Sequence, residues 1–411
     1  MEQQRKKILL LDTGNEWGGG TNSMLELLKR IDRNQFEIGC CFYQNYTRGK
    51  GDSIAQVLAS LGIPVTFIAQ RKQPRWAKIA KELLRSLVFF HRPLRLKATR
   101  YIDTLWRIRP NAQKIRQLLV QQQSDMLYMN NQPGSNAEGY LAAADLPVAV
   151  VQHCRIEPVL NQALVNMVNQ RADAVIAVSN GVRDVLLQHG VEAKKCFTVF
   201  NAIDIWQPLP EREAMRRQLL DVNDDTFVFG SIGSLIARKS NHHILQALAK
   251  FVAAFPDANW RMVILGEGPE HDALQRQAQQ AGLQDRVIFT GFCSNAMEYL
   301  AAFDVFILAS KSEGLPRVVL EAMLLKTAVI GSRVTGTAEL IEHDKTGLLF
   351  DYGDVQGLFE QMKTLWLDAQ KRNLLLQQAN THVREHYAIE HYVAGVETIL
   401  KNAPNGSSSH V

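Results

Sequence analysis

The chain of 411 residues is poor in the features that mark special classes of protein. Its five cysteines (Cys40, Cys41, Cys154, Cys196 and Cys293) form no Cys-x-x-Cys pair and no metal-ligand spacing. They read as free thiols, which suits a reducing compartment and excludes a disulfide scaffold. No apolar run reaches the roughly 18 residues of a membrane-spanning helix. The opening "MEQQRKKILLLDTG" has a short apolar run that stops at Asp12, without the small-residue cleavage site of a signal peptide. Internal repeats are absent, and the glutamines at 121–123 are the nearest thing to low complexity. Acidic residues are scarce in one place. Residues 71–116 hold fourteen lysines and arginines against two acids, a local excess of twelve in a chain whose net charge is +5. An anionic surface is the expected neighbour of that segment.

What is present is a long alternation of short apolar strands and amphipathic helices. "KILLLD" (7–12), "MLYMN" (126–130), "VAVVQH" (148–153) and "AVIAVS" (174–179) read as strands, each followed by a helical pattern. The series restarts with "FVFGSIG" (227–233), "RMVILG" (261–266), "RVIFTG" (286–291), "DVFILAS" (304–310) and "TAVIGS" (327–332). Continuous apolar strands separated by helices predict parallel sheets covered on both faces. Two series in a chain of this length predict two doubly wound domains. The break falls in "NAIDIWQPLPEREAMRRQLLDVNDD" (201–225), with Pro208 and Pro210. The expected domains are 1–203, with a basic insertion at about 71–109, and 204–380. A helix over 381–403 is expected to pack back on the first domain, and 404–411 reads as a disordered tail.

The unit 304–326 carries the clearest chemistry: strand "DVFILAS", loop "KSEGL", helix "PRVVLEAMLLK". Pro316 suits the start of a helix, where its missing N–H costs nothing. That helix start then faces the carboxyl end of the strand, where open α/β sheets bind ligands and free N–H groups suit a phosphate. Glu313 lies on the loop facing the same space, and Glu321 lies about one and a half turns into the helix. A carboxylate among Val318, Val319, Leu320, Ala322 and Met323 needs hydrogen-bond partners if it is buried, and a ribose diol would serve. By spacing alone, Glu321 fits the exposed stripe of an ordinary helix equally well. "NEWGGGTNS" (15–23) offers a second anion site, with Gly18, Gly19 and Gly20 before a helix, and it is not a Gly-x-Gly-x-x-Gly dinucleotide fingerprint. "VQHCRIEP" (151–158) puts His153, and more weakly Arg155 and Glu157, at a strand end.

The segment "SKSEGLPRVVLEAMLLKTAVIGSRVTGTAELIEHDKTGLLF" (310–350) resembles the signature of the retaining GT-B glycosyltransferases of family 4. "NAIDIWQP", "GSIGSLIARKSNHHILQAL", "ILGEGPE" and "VIFTGFCSNAMEYLAAFDVFILAS" continue that resemblance over nearly the whole chain, more strongly in its second half. It implies two Rossmann-like domains, a nucleotide-sugar donor such as a UDP- or GDP-sugar, no further cofactor, and transfer without a metal. Residue by residue, it implies Glu313 on the donor-sugar hydroxyls and Glu321 on the nucleotide ribose. The diphosphate would meet the backbone amides of Arg317 and Val318, and Gly314, Leu315 and Pro316 would also line the donor. Lys239 would neutralise the diphosphate, and the turn Gly18–Gly20 would lie nearest to it. Many relatives place an arginine where this chain has Ser234, so Arg238 takes that role here. The base would be read near Gly291, Phe292 and Cys293. His153 would face the transferred sugar. No cluster has metal spacing and no Asp-x-Asp follows a first-domain strand, in keeping with metal independence. The expected partners are the donor and a saccharide or lipid-linked acceptor, with no nucleic acid. Readings as a sugar-nucleotide epimerase or as a non-catalytic binding protein on the same scaffold are the rivals. "RWAKIAKELLRSLVFF" (75–90) reads as an amphipathic helix with a basic face. It predicts a cytoplasmic protein attached peripherally to an anionic membrane.

Overall fold

A computed structural model describes residues 5–14, 17–49, 51–69, 79, 82, 83, 104–220, 222 and 225–404. The expected amphipathic helix at 75–90 and the tail from 405 lie outside the described residues, apart from Ile79, Glu82 and Leu83, all exposed. The chain divides into two compact units. One comprises the residues up to Ala177, Val185–Phe197 and those from Val396 on; the other comprises Val178–Asp184 and Thr198–Gly395. This division falls at Phe197/Thr198, where the prolines had suggested 203/204. The reason is local: Ile203 bridges to Ala388, and Asn201 and Ala202 bond into the second unit.

The first unit is built on β1 (Lys6–Asp12), β2 (Phe36–Phe42), β3 (Val65–Phe67), β4 (Met126–Met129), β5 (Ala149–Cys154), β6 (Ala174–Ala177) and β7 (Cys196–Thr198). They form a seven-stranded sheet in the order β3-β2-β1-β4-β5-β6-β7. In β1, Leu10 pairs with Cys40 on one side and Tyr128 on the other, in parallel register. Both neighbours are themselves buried, which is why β1 reads as unbroken apolar sequence. Caps set the helix starts. Ser53 accepts the N–H of Gln56 before Ile54–Ser60, and Asn161 accepts that of Leu164 before Gln162–Arg171. Lys6 donates to the carbonyls of Leu400, Lys401 and Ala403 at 3.2, 2.8 and 2.8 Å, closing the end of the last helix.

The second unit carries β8 (Phe227–Ile232), β9 (Trp260–Leu265), β10 (Val287–Gly291), β11 (Val305–Leu308), β12 (Ala328–Ser332) and β13 (Leu348–Phe350). Their order is β10-β9-β8-β11-β12-β13. Its core stacks Phe229, Phe251 and Trp260 edge to face, with ring centroids 5.6–6.3 Å apart. The nine strands read from sequence are all present within about two residues of their expected ends. β2, β3, β7 and β13 had gone unread. In β2 the run Gly39-Cys40-Cys41 lacks the β-branched signal, and the other three span only three residues each. In both sheets the strand order reverses between two central strands, β1/β4 and β8/β11. The crevice beyond their carboxyl ends is where such sheets accommodate ligands.

Candidate active site

At the β8/β11 reversal, two loops meet. The loop after β8 ends in a tight turn, Ala237–Lys239, before the helix Asn241–Ala254. The loop after β11 runs through Ser312 and Glu313 into the helix Arg317–Leu324, capped by Pro316. The Lys311 N–H donates to the Arg238 carbonyl at 2.8 Å, and the Arg238 guanidinium donates to the Ser312 carbonyl at 2.5 Å. These bonds join the loops. They bring Lys239 Nζ within 2.6 Å and Arg238 Nη1 within 3.2 Å of Glu313 Oε1. Glu313 is only 5 % exposed. Burial pushes its carboxyl up, but the Lys239 and Arg238 cations and the Lys239 hydrogen bond outweigh that and hold it below the ordinary value. The cluster therefore carries two cations against one carboxylate, a surplus of one positive charge beside a helix N-terminus. That surplus suits a diphosphate.

Two close approaches fix the acid loop. Gly336 has φ +78°, and a Cβ there would lie 1.9 Å from the Gly314 carbonyl oxygen, so only glycine lets that turn cross the loop. On another side, the buried Asn201 side chain donates to the Leu315 carbonyl at 3.0 Å. Glu321 is placed differently from Glu313. Its side chain is 20 % exposed, and its nearest cation, Arg317 Nη2, stands 3.7 Å away. Of the two placements the sequence left open for Glu321, the partly exposed helix edge is the one found, whereas the loop carboxylate is the enclosed one. Val319, Leu320, Ala322 and Met323 face the core and leave Glu321 on the helix edge.

Two family profiles match complementary parts of the chain: "Glycosyltransferase Family 4" over residues 52–207 and "Glycosyl transferases group 1" over residues 211–382. This chain belongs to the group 1 glycosyltransferases, on the GT-B fold. Among solved structures, Anabaena Alr3699/HepE in complex with UDP and glucose matches with a TM-score of 0.77 at 23 % identity, over 97 % of this chain and 100 % of that one. Sucrose-phosphate synthase from Thermosynechococcus elongatus matches with a TM-score of 0.73 at 17 % identity, over 97 % and 98 %. In sequence, the chain is 29 % identical to N-acetyl-alpha-D-glucosaminyl L-malate synthase of Bacillus anthracis, over 61 % of this chain and 66 % of that protein. It is 28 % identical to the lipopolysaccharide core glycosyltransferase LpsE of Rhizobium meliloti, over 46 % and 54 %. The chain spans about half to two thirds of the length of these curated relatives.

In the second unit, several expected residues lie at the carboxyl ends of neighbouring strands. Ser234 and Gly233 follow β8, and a Cβ on Gly233 would touch the Lys239 side chain at 3.4 Å. Gly291, at φ +71°, ends β10, with Phe292 exposed and Cys293 partly so. The Glu267 carboxylate accepts the Phe292 N–H at 3.4 Å, a contact that sequence reasoning had not seen. Gly18 and Gly19 are exposed in the first unit at the start of the helix Gly19–Arg30, and Gly20 packs on the Arg155 side chain. His153 differs from expectation. Its ring is wholly buried, its Nδ1 lies 2.5 Å from the Tyr128 hydroxyl, and burial followed by the Arg155 charge keeps it neutral. It is the last but one residue of β5, one residue inside the strand's end, and its side chain is enclosed. Arg155 is likewise turned inward, donating from Nε and Nη2 to Asn130 at 2.9 and 2.6 Å. Asn130 in turn donates to Asp12 at 2.8 Å. Glu157 is partly exposed. Among the described residues no three His, Cys, Asp or Glu side chains could hold a metal, and no helix is long and apolar enough to cross a membrane.

Proposed function

We propose that this group 1 glycosyltransferase transfers a sugar from a UDP- or GDP-sugar, with retention and without a metal, to a saccharide or lipid-linked acceptor. The product would belong to a bacterial-type surface polysaccharide or lipid glycan. The observation that carries the reading is the buried Glu313 held by Lys239 and Arg238 beside the start of Arg317–Leu324. A leaving diphosphate gains from a surplus cation and from unpaired helix N–H groups, which is the stabilisation a metal supplies elsewhere. Glu313 lies within reach of the same space to accept hydroxyls of the donor sugar. Glu321 is partly open for the ribose diol. The resemblance to family 4 implies no carboxylate nucleophile, so the favoured route is same-face substitution. In it the acceptor hydroxyl gives its proton to the departing diphosphate oxygen as the new glycosidic bond forms. Support for the donor comes from neighbours crystallised with UDP and UDP-glucose. Support for the acceptor class comes from relatives named for lipopolysaccharide core and for an undecaprenol-linked glycan. Peripheral membrane attachment through 71–109 belongs to the same reading and is tested by sedimentation with anionic and neutral liposomes.

The deciding experiment is a panel of UDP-glucose, UDP-N-acetylglucosamine and GDP-mannose, with release of UDP or GDP as readout, with and without EDTA. Release that survives EDTA, and an α-linked product by NMR, support the reading. Loss of release in EDTA overturns metal independence. A β-linked product overturns retention. Interconversion of the donors with no release would instead identify an epimerase.

A further inference from the structure

Arg317 stands at the first position of the helix Arg317–Leu324. The positive end of a helix dipole disfavours a cation there, and an arginine four residues before a glutamate is the weaker order for a helical ion pair. Helix stability therefore gives no reason for this residue. Its contacts give another. Arg317 Nη1 donates to the Ala202 carbonyl at 2.8 Å, while Nη2 lies 3.7 Å from Glu321 Oε1. Its Nε–H is buried without a hydrogen-bond partner among the described residues. A guanidinium kept only to tie two segments together would be expected to have all its buried donors bonded. The anchor itself is firm. Ala202 belongs to the segment whose neighbour Asn201 clasps Leu315 and whose Ile203 bonds to Tyr387. The peptide that fixes the acid loop thus also fixes the arginine that faces the second acid.

The separation from Glu321 matters. At 3.7 Å the charges attract, but the distance is longer than a hydrogen bond, so the carboxylate's lone pairs stay available. Glu313, by contrast, is already bonded by Lys239 at 2.6 Å. We propose that the Arg317 side chain is a positioning residue for Glu321: it holds the carboxylate aimed, without occupying it, for a vicinal diol on a nucleoside diphosphate. This deepens, and rests on, the assignment of Glu321 to the donor ribose.

Calorimetric titration of the full chain with UDP and with GDP tests it, using Arg317→Met, Arg317→Lys, Glu321→Ala and the double variant Arg317→Met/Glu321→Ala. Arg317→Met keeps the stem and removes the charge. It should weaken nucleotide binding about five- to tenfold, as expected for coupled contacting groups, with KM for the donor rising more than kcat falls. Arg317→Lys should recover most of that loss. In the Glu321→Ala background, removing Arg317 should cost nothing further. If the double variant loses the same factor again, Arg317 acts on the fold through Ala202 and the proposal fails. If Glu321→Ala weakens binding while Arg317→Met does not, the positioning role fails and the ribose assignment stands. If Glu321→Ala binds as tightly as the unaltered chain, or if that chain binds neither nucleotide, the ribose assignment falls and the proposal with it. Thermal melts of each variant separate unfolding from altered binding.

Discussion

The two sheets share the strand order 3-2-1-4-5-6 over their first six strands, yet their reversal points are chemically opposite. At β1/β4, Asp12, Asn130 and Arg155 form an acid–amide–cation chain. Asp12 also accepts the N–H of Gly14 at 2.7 Å, and all three side chains are buried. At β8/β11, two cations share one buried carboxylate, a helix N-terminus adds further positive potential, and Glu321 remains partly open. One reversal point bonds its acid and its cation through a shared amide, and the other leaves a surplus of positive charge. Strand order supplies a crevice in both units, and the loop residues alone decide whether that crevice carries unneutralised charge.

The largest effect should come from removing that surplus. Lys239→Ala takes away a hydrogen bond to Glu313 and half of the local positive charge. Loss of one such group at a developing anion lowers kcat by about 10²- to 10³-fold. It also strands part of a buried ion pair, which costs up to about 3–5 kcal/mol when no other partner remains, and less here because Arg238 stays. Steady-state kinetics and thermal melts check both. Lys239→Ala/Glu313→Gln should melt higher than Lys239→Ala and remain inactive. Turnover close to that of the unaltered chain in Lys239→Ala would mean that the second crevice is no more chemical than the first.

Glu321→Ala comes next. Hydrogen bonds to a charged group are worth about 1.5–3 kcal/mol, so nucleotide binding should weaken by about tenfold to over a hundredfold. Calorimetry with UDP and GDP reads this directly. Glu313→Ala should instead lower turnover more than affinity, because its hydroxyl contacts gain strength as the sugar reacts.

What the sequence alone makes legible follows the same division. Long buried strands such as β1 and β9 announce themselves by unbroken apolar runs, and Pro316 announces its helix. The acid loop and the Arg238–Lys239 pair were legible as a pattern. The relative burial of Glu313 and Glu321 was not. Sequence neighbours of Glu321 are apolar, but a helix turns them to the core and leaves Glu321 at its edge. Glu313 has polar sequence neighbours and is enclosed by residues some seventy positions away. Arg317 was legible only as a backbone, since its contact with Ala202 spans 115 positions. His153 was expected to be open because a strand's last residues often border the crevice, and here the strand continues one residue beyond it.

A pH experiment sharpens the contrast at smaller cost to the protein. Glu313 titrates below its ordinary value of 4.5 in the folded chain. A depressed carboxyl contributes stability that is complete above its unfolded value and is lost as pH falls through the folded one. His153 is also depressed, from 6.5, because burial and Arg155 favour its neutral form. Its contribution is complete above about 6.5 and declines as pH falls below that. Melting temperature should therefore fall in two stages on acidification: first below pH 6.5, through His153 together with His243 and His382, which burial also depresses, then below pH 4.5, through Glu313. Glu313→Gln should flatten the lower stage and leave the upper one. A profile unchanged by Glu313→Gln would show that the Lys239–Glu313 pair adds nothing to folding.

The smallest effect probes the first crevice. Tyr128→Phe removes the hydroxyl that lies 2.5 Å from His153 Nδ1 and keeps the ring that packs edge-on against it at 5.9 Å. A typical intramolecular hydrogen bond contributes about 0.5–1.5 kcal/mol, so the melting temperature should drop by only a few degrees. The informative readout is kcat. His153 is buried and neutral, and its neighbours at the β1/β4 reversal bond to one another. If that edge serves only to hold the fold, kcat in Tyr128→Phe matches that of the unaltered chain at a temperature well below both melts. If kcat falls several-fold while donor KM is unchanged, the Tyr128 hydroxyl orients a ring that reaches the reacting sugar. The contrast between a closed first edge and a chemical second edge would then hold only for the chain without its substrates.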